Sequence, residues 1–542
     1  MVEDMDPESN HGKRLLPLVV DELATRDPNR VFASIPTSKS LEDGFRDINF
    51  AQFSRAINRC AWWIEENLGR SKTFETLNYV GPEDLRYIIL LFAAIKTGYQ
   101  MFFNSPWNST EGHIALLEAL HCNIALSPEV LPPITQTVVA KRQMRTLEIQ
   151  TLQELLEDGA VPLYPYEKTF EQARYEPFVV LHTSGSTGFP KPVILTHGTV
   201  AHHDTFIFTP PNGEKPIAIS SYRHKRVFVG LRMFHSAALC FMAFAIYSDT
   251  KLVFPPPTPM TAEIANFAHM YGNLDASFVS PAVLVQIAKN PEYLKNIRKL
   301  AYLSYGGGPL PREIGNVLKS YSRLFVNFGA TETGFFALQL TDPEDWEYMS
   351  FSARMGVQLR PVVGELYELH FVRKPELEFS QGIFSTFPNL SEYSTRDLFS
   401  KHPTKENLWL FEGRSDDAIV CSTGQKVNPM TTESLLNAYP SVVAALVCGQ
   451  GRVQVSLLVE AKSPPRNENE RDILVQEIWP AVELGNEKQQ KQGRITKDLV
   501  AFTKAGKPMI RAGKGTILRK LTENLYREEL DEMYSTFKDT QS

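Results

Sequence analysis

The segment His182-Thr-Ser-Gly-Ser-Thr-Gly-Phe-Pro-Lys-Pro192 holds the residues best suited to chemistry. Thr183, Ser184, Gly185, Ser186, Thr187 and Gly188 set hydroxyls and bare backbone side by side, and Lys191 adds a positive charge just beyond them. Backbone N–H groups and hydroxyls that converge in this way bind phosphate oxygens, whose charge a lysine compensates. The apolar run Phe178 to Leu181 predicts a strand feeding directly into this cradle. A solvated surface loop would share the Ser/Thr/Gly composition, but not the strand before it and the lysine behind it. The spacing G-x-x-x-x-G-K-[ST] occurs nowhere in the chain, so the cradle is not a Walker A loop.

Five further segments follow in order. They are Tyr305-Gly306-Gly307-Gly308-Pro309-Leu-Pro311, Asn327-Phe328-Gly329-Ala330-Thr331-Glu332-Thr-Gly334, Ser394-Thr-Arg-Asp397, Gly413-Arg414-Ser-Asp416-Asp417 and Ala512-Gly-Lys514-Gly-Thr-Ile-Leu-Arg519. A shorter one, Gly424-Gln-Lys-Val-Asn-Pro429, lies between the last two. Taken with the cradle, these resemble the ordered motifs of the adenylate-forming superfamily of acyl- and aryl-CoA ligases, luciferases and nonribosomal peptide synthetase adenylation domains. The resemblance runs from about Pro177 to Arg519.

The resemblance implies ATP and AMP as ligands, with the cradle on the phosphates, Gly306 to Pro309 against the adenine, Asn327 to Ala330 elsewhere on the nucleotide, Asp397 on the ribose hydroxyls and Arg414 on the same sugar or its phosphate. Mg²⁺ takes oxygen ligands and needs only one or two protein carboxylates, which makes Glu332 its natural ligand, while Thr331 can hydrogen-bond the α-phosphate. Lys514, in a basic run with Lys504, Lys507 and Arg511, is implied to neutralise charge as a substrate carboxylate displaces pyrophosphate. Asp416 is implied to be the hinge about which a small domain turns between half-reactions.

Where amino-acid-activating relatives carry an aspartate for the substrate ammonium, this chain reads Arg232-Met-Phe-His-Ser-Ala-Ala238, without a carboxylate. A buried ammonium without a counter-ion is costly, so an aryl or alkyl acid is expected. His235 matches the aromatic gate of such relatives, with Phe234, Ser280, Pro281 and Tyr305 as expected pocket walls. Ser105-Pro-Trp-Asn-Ser109, Phe387 to Phe399, His402-Pro-Thr404 and Lys514 to Arg519 resemble fungal adenylate-forming reductases, with Trp107 where those have arginine. That resemblance implies two partners, a carrier domain whose phosphopantetheine thiol receives the acyl group and a reductase domain that consumes it. The chain has neither a carrier-type serine motif nor a G-x-x-G-x-x-G loop, and so reads as the first module. A freestanding CoA ligase shares every adenylation motif, and a catalytically silent nucleotide-binding module is a rival of another class. Pro192 replaces the usual glycine after the lysine and stiffens the exit from the cradle.

These residues need a scaffold. Apolar positions from Ile48 to Leu68 recur at helical spacing and end at Gly69; Thr76 to Val80, a helix from Glu83 to Lys96 and Gln100 to Phe103 then give strand, helix, strand. Apolar runs at Asn123–Leu126, Lys251–Phe254, Ala276–Val279 and Leu300–Tyr305 repeat the theme. The expectation is an α/β fold, with a large N-terminal domain over 1–413, a hinge at 414–416, a small mobile α+β domain over 417–535 and a polar tail over 536–542. Pro255 to Pro259 and Ser463 to Arg471 read as loops.

The 542 residues exceed what one hydrophobic core supports, and 43% hydrophobic and 22% charged residues are ordinary globular values. A net charge of −6 offers no footprint for nucleic acid or an anionic membrane. Five scattered cysteines without a C-x-x-C pair support neither a disulfide framework nor a zinc site. The polar start and the short apolar runs point to the cytoplasm and to no membrane association.

Overall fold

The computed structural model describes residues 10–38, 40–183, 190–207, 215–363, 365–415, 419–422, 426–487, 489, 493–511 and 517–537. It divides into two compact units, the first built from residues 1–185, 189–358 and 371–393, the second from 186–188, 359–370 and 394–542.

The first unit holds two large sheets. One orders the strands Arg323–Val326, Tyr302–Tyr305, Ala276–Val279, Arg226–Gly230, Lys251–Val253, Val31–Pro36 and Phe45–Asn49, all parallel except the last pair. The other orders Arg145–Glu148, Ile124–Ser127, Thr76–Tyr79, Gln100–Phe103, Pro177–Thr183 and Lys191–Thr196, parallel until the final antiparallel strand. Strand-helix-strand connections explain the parallel pairing, since a crossover must return the chain to the same sheet edge.

The helix Phe50–Leu68 begins two residues later than its apolar spacing suggests. Asn49 caps it in a reciprocal box with Gln52, and Ile48 belongs to the preceding strand. Helix Arg86–Thr97 begins at Arg86 rather than Glu83, is buried at every position and ends at Gly98 in the left-handed conformation. Even Lys96 is enclosed, its Nζ 2.7 Å from Asp21 and 2.9 Å from Asn58 Oδ1. Helix Ser236–Ser248 is equally apolar and buried from Ala238 onward. Among the described residues, no helix is long and apolar enough to cross a membrane.

The segment before the first helix is fixed by charge. The Asp204 carboxylate, 0% exposed, accepts from Gly12 N–H (3.1 Å), His11 Nδ1 (2.9 Å) and the Arg14 guanidinium. Burial pushes this carboxyl up, but the hydrogen bonds and charge of Arg14 and His11 outweigh it and hold it below the usual carboxylate range.

In the second unit, strands Val442–Cys448, Ser456–Ala461 and Val500–Phe502 form a sheet against helices Met430–Leu436 and Glu468–Glu487. Two loop expectations shift here. Residues Glu468 to Arg471 of the polar tract are helical, because the Asn467 side chain accepts from Glu470 N–H and starts the helix. The tail read from Thr536 likewise begins on the last residue of the helix Arg527–Thr536. Strands Glu392–Lys401 and Trp409–Arg414 pair antiparallel in a further sheet with Val357–Val363 and Leu366–Val372. All five cysteines are buried and free.

Candidate active site

Four adjacent parallel strands end in register, Gly230 opposite Val279, Val279 opposite Tyr305 and Tyr305 opposite Val326. The segments that leave them are Leu231–His235, Ser280–Pro281, Gly306–Pro309 and Asn327–Glu332. Nearly every candidate of the first unit outside the cradle therefore stands on one edge, the carboxyl edge, where open parallel sheets bind ligands.

Two of those segments interlock. Asn327 N–H donates to Tyr305 O (2.7 Å), and Asn327 Nδ2 to Ser304 Oγ (3.0 Å), which also pairs with the buried Tyr222 hydroxyl. A Cβ on Gly306 would lie 2.7 Å from Asn327 O, so only glycine permits that crossing. Gly307 takes φ +84°, a second reason for glycine in this turn. Tyr305 is itself buried, which pushes its phenol well up, and its ring lies 6.1 Å from that of Trp346.

Beyond Asn327 and Phe328, the strands Gly329–Ala330 and Gly334–Phe335 form a small hairpin whose turn carries Thr331 and Glu332. Thr333 Oγ1 accepts from Ala330 N–H (3.0 Å) and donates to Gly334 O (3.0 Å). Gly334 has φ +68°, and a Cβ there would meet His203 Cε1 at 2.7 Å. His203 Nδ1 donates to Val200 O (2.9 Å), and its Nε2 accepts from Phe335 N–H (3.2 Å). These roles require the neutral ring, and burial together with neighbouring His202 depresses its pKa well below the ordinary value.

Thr183 closes the strand Pro177–Thr183 and pairs with Lys191, so the cradle joins two antiparallel neighbours. Pro192 opposes His182 on the outermost strand, a place that tolerates a missing N–H. His182 Nε2 accepts from Ser105 N–H (3.1 Å) and pairs with Asn108 Nδ2 (3.2 Å), which ties the Ser105–Asn108 segment to the residue before Thr183. Ser184 to Gly188 lie outside the described residues, as do Lys514 and Asp416.

His235 is the N-cap of helix Ser236–Ser248, its ring 4.7 Å from Phe234. Phe234 meets Trp107 edge-on at 5.5 Å, and Arg232 lies over the Trp107 ring at 4.5 Å while bonding Glu83 at 2.7 Å. Trp107, 47% exposed, thus lies against two residues of the gate segment. Ser280 caps helix Pro281–Ala288 through its backbone position alone, with no side-chain bond to the helix.

In the second unit Asp397 is buried opposite Arg414, with Oδ1 3.8 Å from Nη1. Arg396, φ +61°, turns the chain just before it, and Asp397 N–H donates to Thr395 Oγ1 (3.1 Å). A carboxylate and a guanidinium presented side by side suit a sugar diol.

A single carboxylate such as Glu332, beside a buried threonine hydroxyl, fits a Mg²⁺ ion whose other ligands are phosphate oxygens and water. No group of three or more His, Cys, Asp or Glu suited to a metal occurs among the described residues.

His203, which bonds Phe335 N–H just beyond the Thr331–Glu332 turn, lies in no segment that composition or spacing singled out.

Comparison with known proteins identifies the family. Residues 20–361 match the AMP-binding enzyme family and residues 416–538 the AMP-binding enzyme C-terminal domain. A carboxylic acid reductase of Neurospora crassa is 35% identical over 97% of this chain and 51% of its own length. An adenylate-forming reductase of Serpula lacrymans is 27% identical over 97% of this chain and 50% of its own. The chain thus spans about half the length of these relatives. Among solved structures, ATP-bound MatB from Rhodopseudomonas palustris superposes with a TM-score of 0.70 at 14% identity, covering 95% of this chain and 99% of that one. The anthranilate CoA ligase AuaEII in complex with anthranoyl-AMP does so with a TM-score of 0.70 at 14% identity, covering 96% and 98%. The chain belongs to the AMP-binding, adenylate-forming enzyme family and carries that family's C-terminal domain.

Proposed function

We propose that this chain activates a non-amino aryl or alkyl carboxylic acid as its acyl-adenylate and passes the acyl group to a carrier-domain phosphopantetheine thiol, as the first module of a carboxylic acid reductase. One observation carries the reading: loops rich in phosphate- and nucleotide-binding residue types leave one edge of four adjacent parallel strands, in a chain whose family is adenylate-forming. The relatives named as reductases support the later step.

In this reading the substrate carboxylate oxygen forms a bond to the α-phosphorus of ATP as the bond from that phosphorus to the pyrophosphate oxygen breaks. The cradle from Thr183 to Lys191 holds the phosphates, Thr331 donates to the α-phosphate, and Lys514 neutralises charge as it develops. Asp397 and Arg414 hold the ribose, Gly306 to Pro309 bound the adenine, and Asn327 to Ala330 contribute to the nucleotide site. Glu332 would hold Mg²⁺, which when bound supplies charge neutralisation for the phosphate chain. His235 gates a pocket walled by Phe234, Ser280, Pro281 and Tyr305. The large domain, taken as 1–413, and the lid that follows turn about Asp416 between the two half-reactions.

The test is ATP–pyrophosphate exchange over a panel of aromatic, aliphatic and 2-oxo acids. One class of acid should drive exchange, and silence with every acid would defeat the reading. Offering the winning acid with CoA or with a holo carrier domain then separates a reductase module from a CoA ligase, since efficient acyl-CoA release favours the ligase.

A further inference from the structure

We propose that Thr386 is a positioning residue for the Thr331–Glu332 turn, acting as the last member of a one-way hydroxyl chain that starts on the strand returning from the phosphate cradle. The inference rests on the reading of Glu332 as the Mg²⁺ ligand.

Three hydroxyls lie in a row within the first unit. Thr196, the last residue of strand Lys191–Thr196, lies 2.9 Å from Thr199 (Oγ1 to Oγ1). Thr199 lies 2.9 Å from Thr386, and Thr386 Oγ1 donates to the Glu332 carbonyl oxygen at 2.9 Å. The direction is forced. A carbonyl oxygen only accepts, so the Thr386 proton is committed to Glu332; Thr199 must then donate to Thr386, and Thr196 to Thr199. Such a chain polarises each successive O–H, and its members Thr196 and Thr199 are buried.

Local structure does not require the last link. Thr196 and Thr199 already satisfy one another as the reciprocal capping box of helix His197–Ala201, through Thr199 N–H to Thr196 Oγ1 (3.2 Å) and Thr196 N–H to Thr199 Oγ1 (3.2 Å). The Thr199 proton is left over from that cap and goes to Thr386, at the end of helix Ile383–Thr386. From there the bond fixes the plane of the peptide that follows Glu332. That plane sets the direction in which the Glu332 Cα–Cβ bond leaves the turn. Inside the turn, the Thr333 hydroxyl bonds Ala330 N–H and Gly334 O. The residues that join the cradle's return strand to the backbone of Glu332 are therefore Thr196, Thr199 and Thr386.

The experiment uses the full chain and titrates Mg²⁺ into binding of a non-hydrolysable ATP analogue, followed by calorimetry, for wild type, Thr386→Val, Thr386→Ala and Thr386→Ser. Loss of an outer-shell partner costs about 10-fold in metal affinity at the low end, so Val and Ala should raise the half-saturating Mg²⁺ by that factor. Serine keeps the O–H and should stay near wild type. Thermal melts show which variants fold, and any folded Val or Ala variant decides the matter. A folded hydroxyl-free variant with wild-type Mg²⁺ dependence overturns the assignment, as does a serine variant as defective as valine. A merely structural threonine would lower the melting point without moving the Mg²⁺ dependence. If the wild type bound the analogue with Mg²⁺ yet no acid drove pyrophosphate exchange, the proposed function would fall while the Thr386 comparison still gave its answer.

Discussion

Arg414 stands directly across a strand pair from Asp397, its Nη1 3.8 Å from a carboxylate oxygen that is almost wholly enclosed. A pair at that separation is within reach of a bridging ligand. Asp397→Ala should therefore weaken ATP binding more than turnover. Losing hydrogen bonds from a charged acceptor costs about 1.5–3 kcal/mol, or roughly a 10- to 100-fold rise in the KM for ATP. Steady-state exchange with ATP varied checks this, and a fall in kcat at unchanged KM would argue against a ribose contact.

Lys514→Ala is expected to lower adenylation about 10²- to 10³-fold, the cost of removing one preorganised electrostatic contact. Thioester formation from synthetic acyl-adenylate should survive, because no pyrophosphate leaves in that step. Near-normal exchange in the variant would remove Lys514 from the reaction.

Gly334→Ala should disable the hairpin that carries Glu332. The new Cβ meets His203 at 2.7 Å, on a backbone with φ +68°. Strain of this kind costs about 1–3 kcal/mol. Exchange activity should drop more steeply than the melting temperature, and equal activity would show that the turn tolerates displacement.

Acid should destabilise the fold through its neutral histidines. Burial pulls His269 and His197 down to about 3 and His113 to about 4. In the unfolded chain these rings protonate near pH 6.5, so the unfolded state binds more protons below that value, and stability falls as pH drops from about 6.5 toward 4. Each ring adds at most about 1.4 kcal/mol per pH unit. His269→Gln should flatten the slope of urea midpoints between pH 6 and 5, and an unchanged slope would mean that the ring is not buried neutral.

Much of the scaffold was legible. The strands Ala276–Val279 and Gln100–Phe103 coincide with their apolar runs, because strands buried on both faces are continuous in hydrophobicity. Strand Lys191–Thr196 was hidden, since it opens with lysine and proline and earns its place only as an edge partner of Pro177–Thr183. The helix start at Asn49 moved by two residues, and the one after Asn467 falls inside a tract read as a loop, because caps rather than hydrophobicity decide them. At the site, the loops announced themselves by composition. Their supports did not: Thr386 lies 54 residues from Glu332 and 187 from Thr199, and His203 lies 132 from Phe335. Only folding brings such partners together.

The enclosed Asp204 has a practical corollary for anyone shortening the chain. Its counter-charge comes from Arg14, with a further hydrogen bond to His11, and it sits one residue after His203, the ring against which Gly334 packs. Deleting the first fourteen residues would strand a carboxylate in an apolar interior and force it to take up a proton or drag water inward. The damage would travel along the short helix His202–Ile207 to the far hairpin, so a cosmetic trim at one terminus would register as an enzyme that has lost its grip on nucleotide.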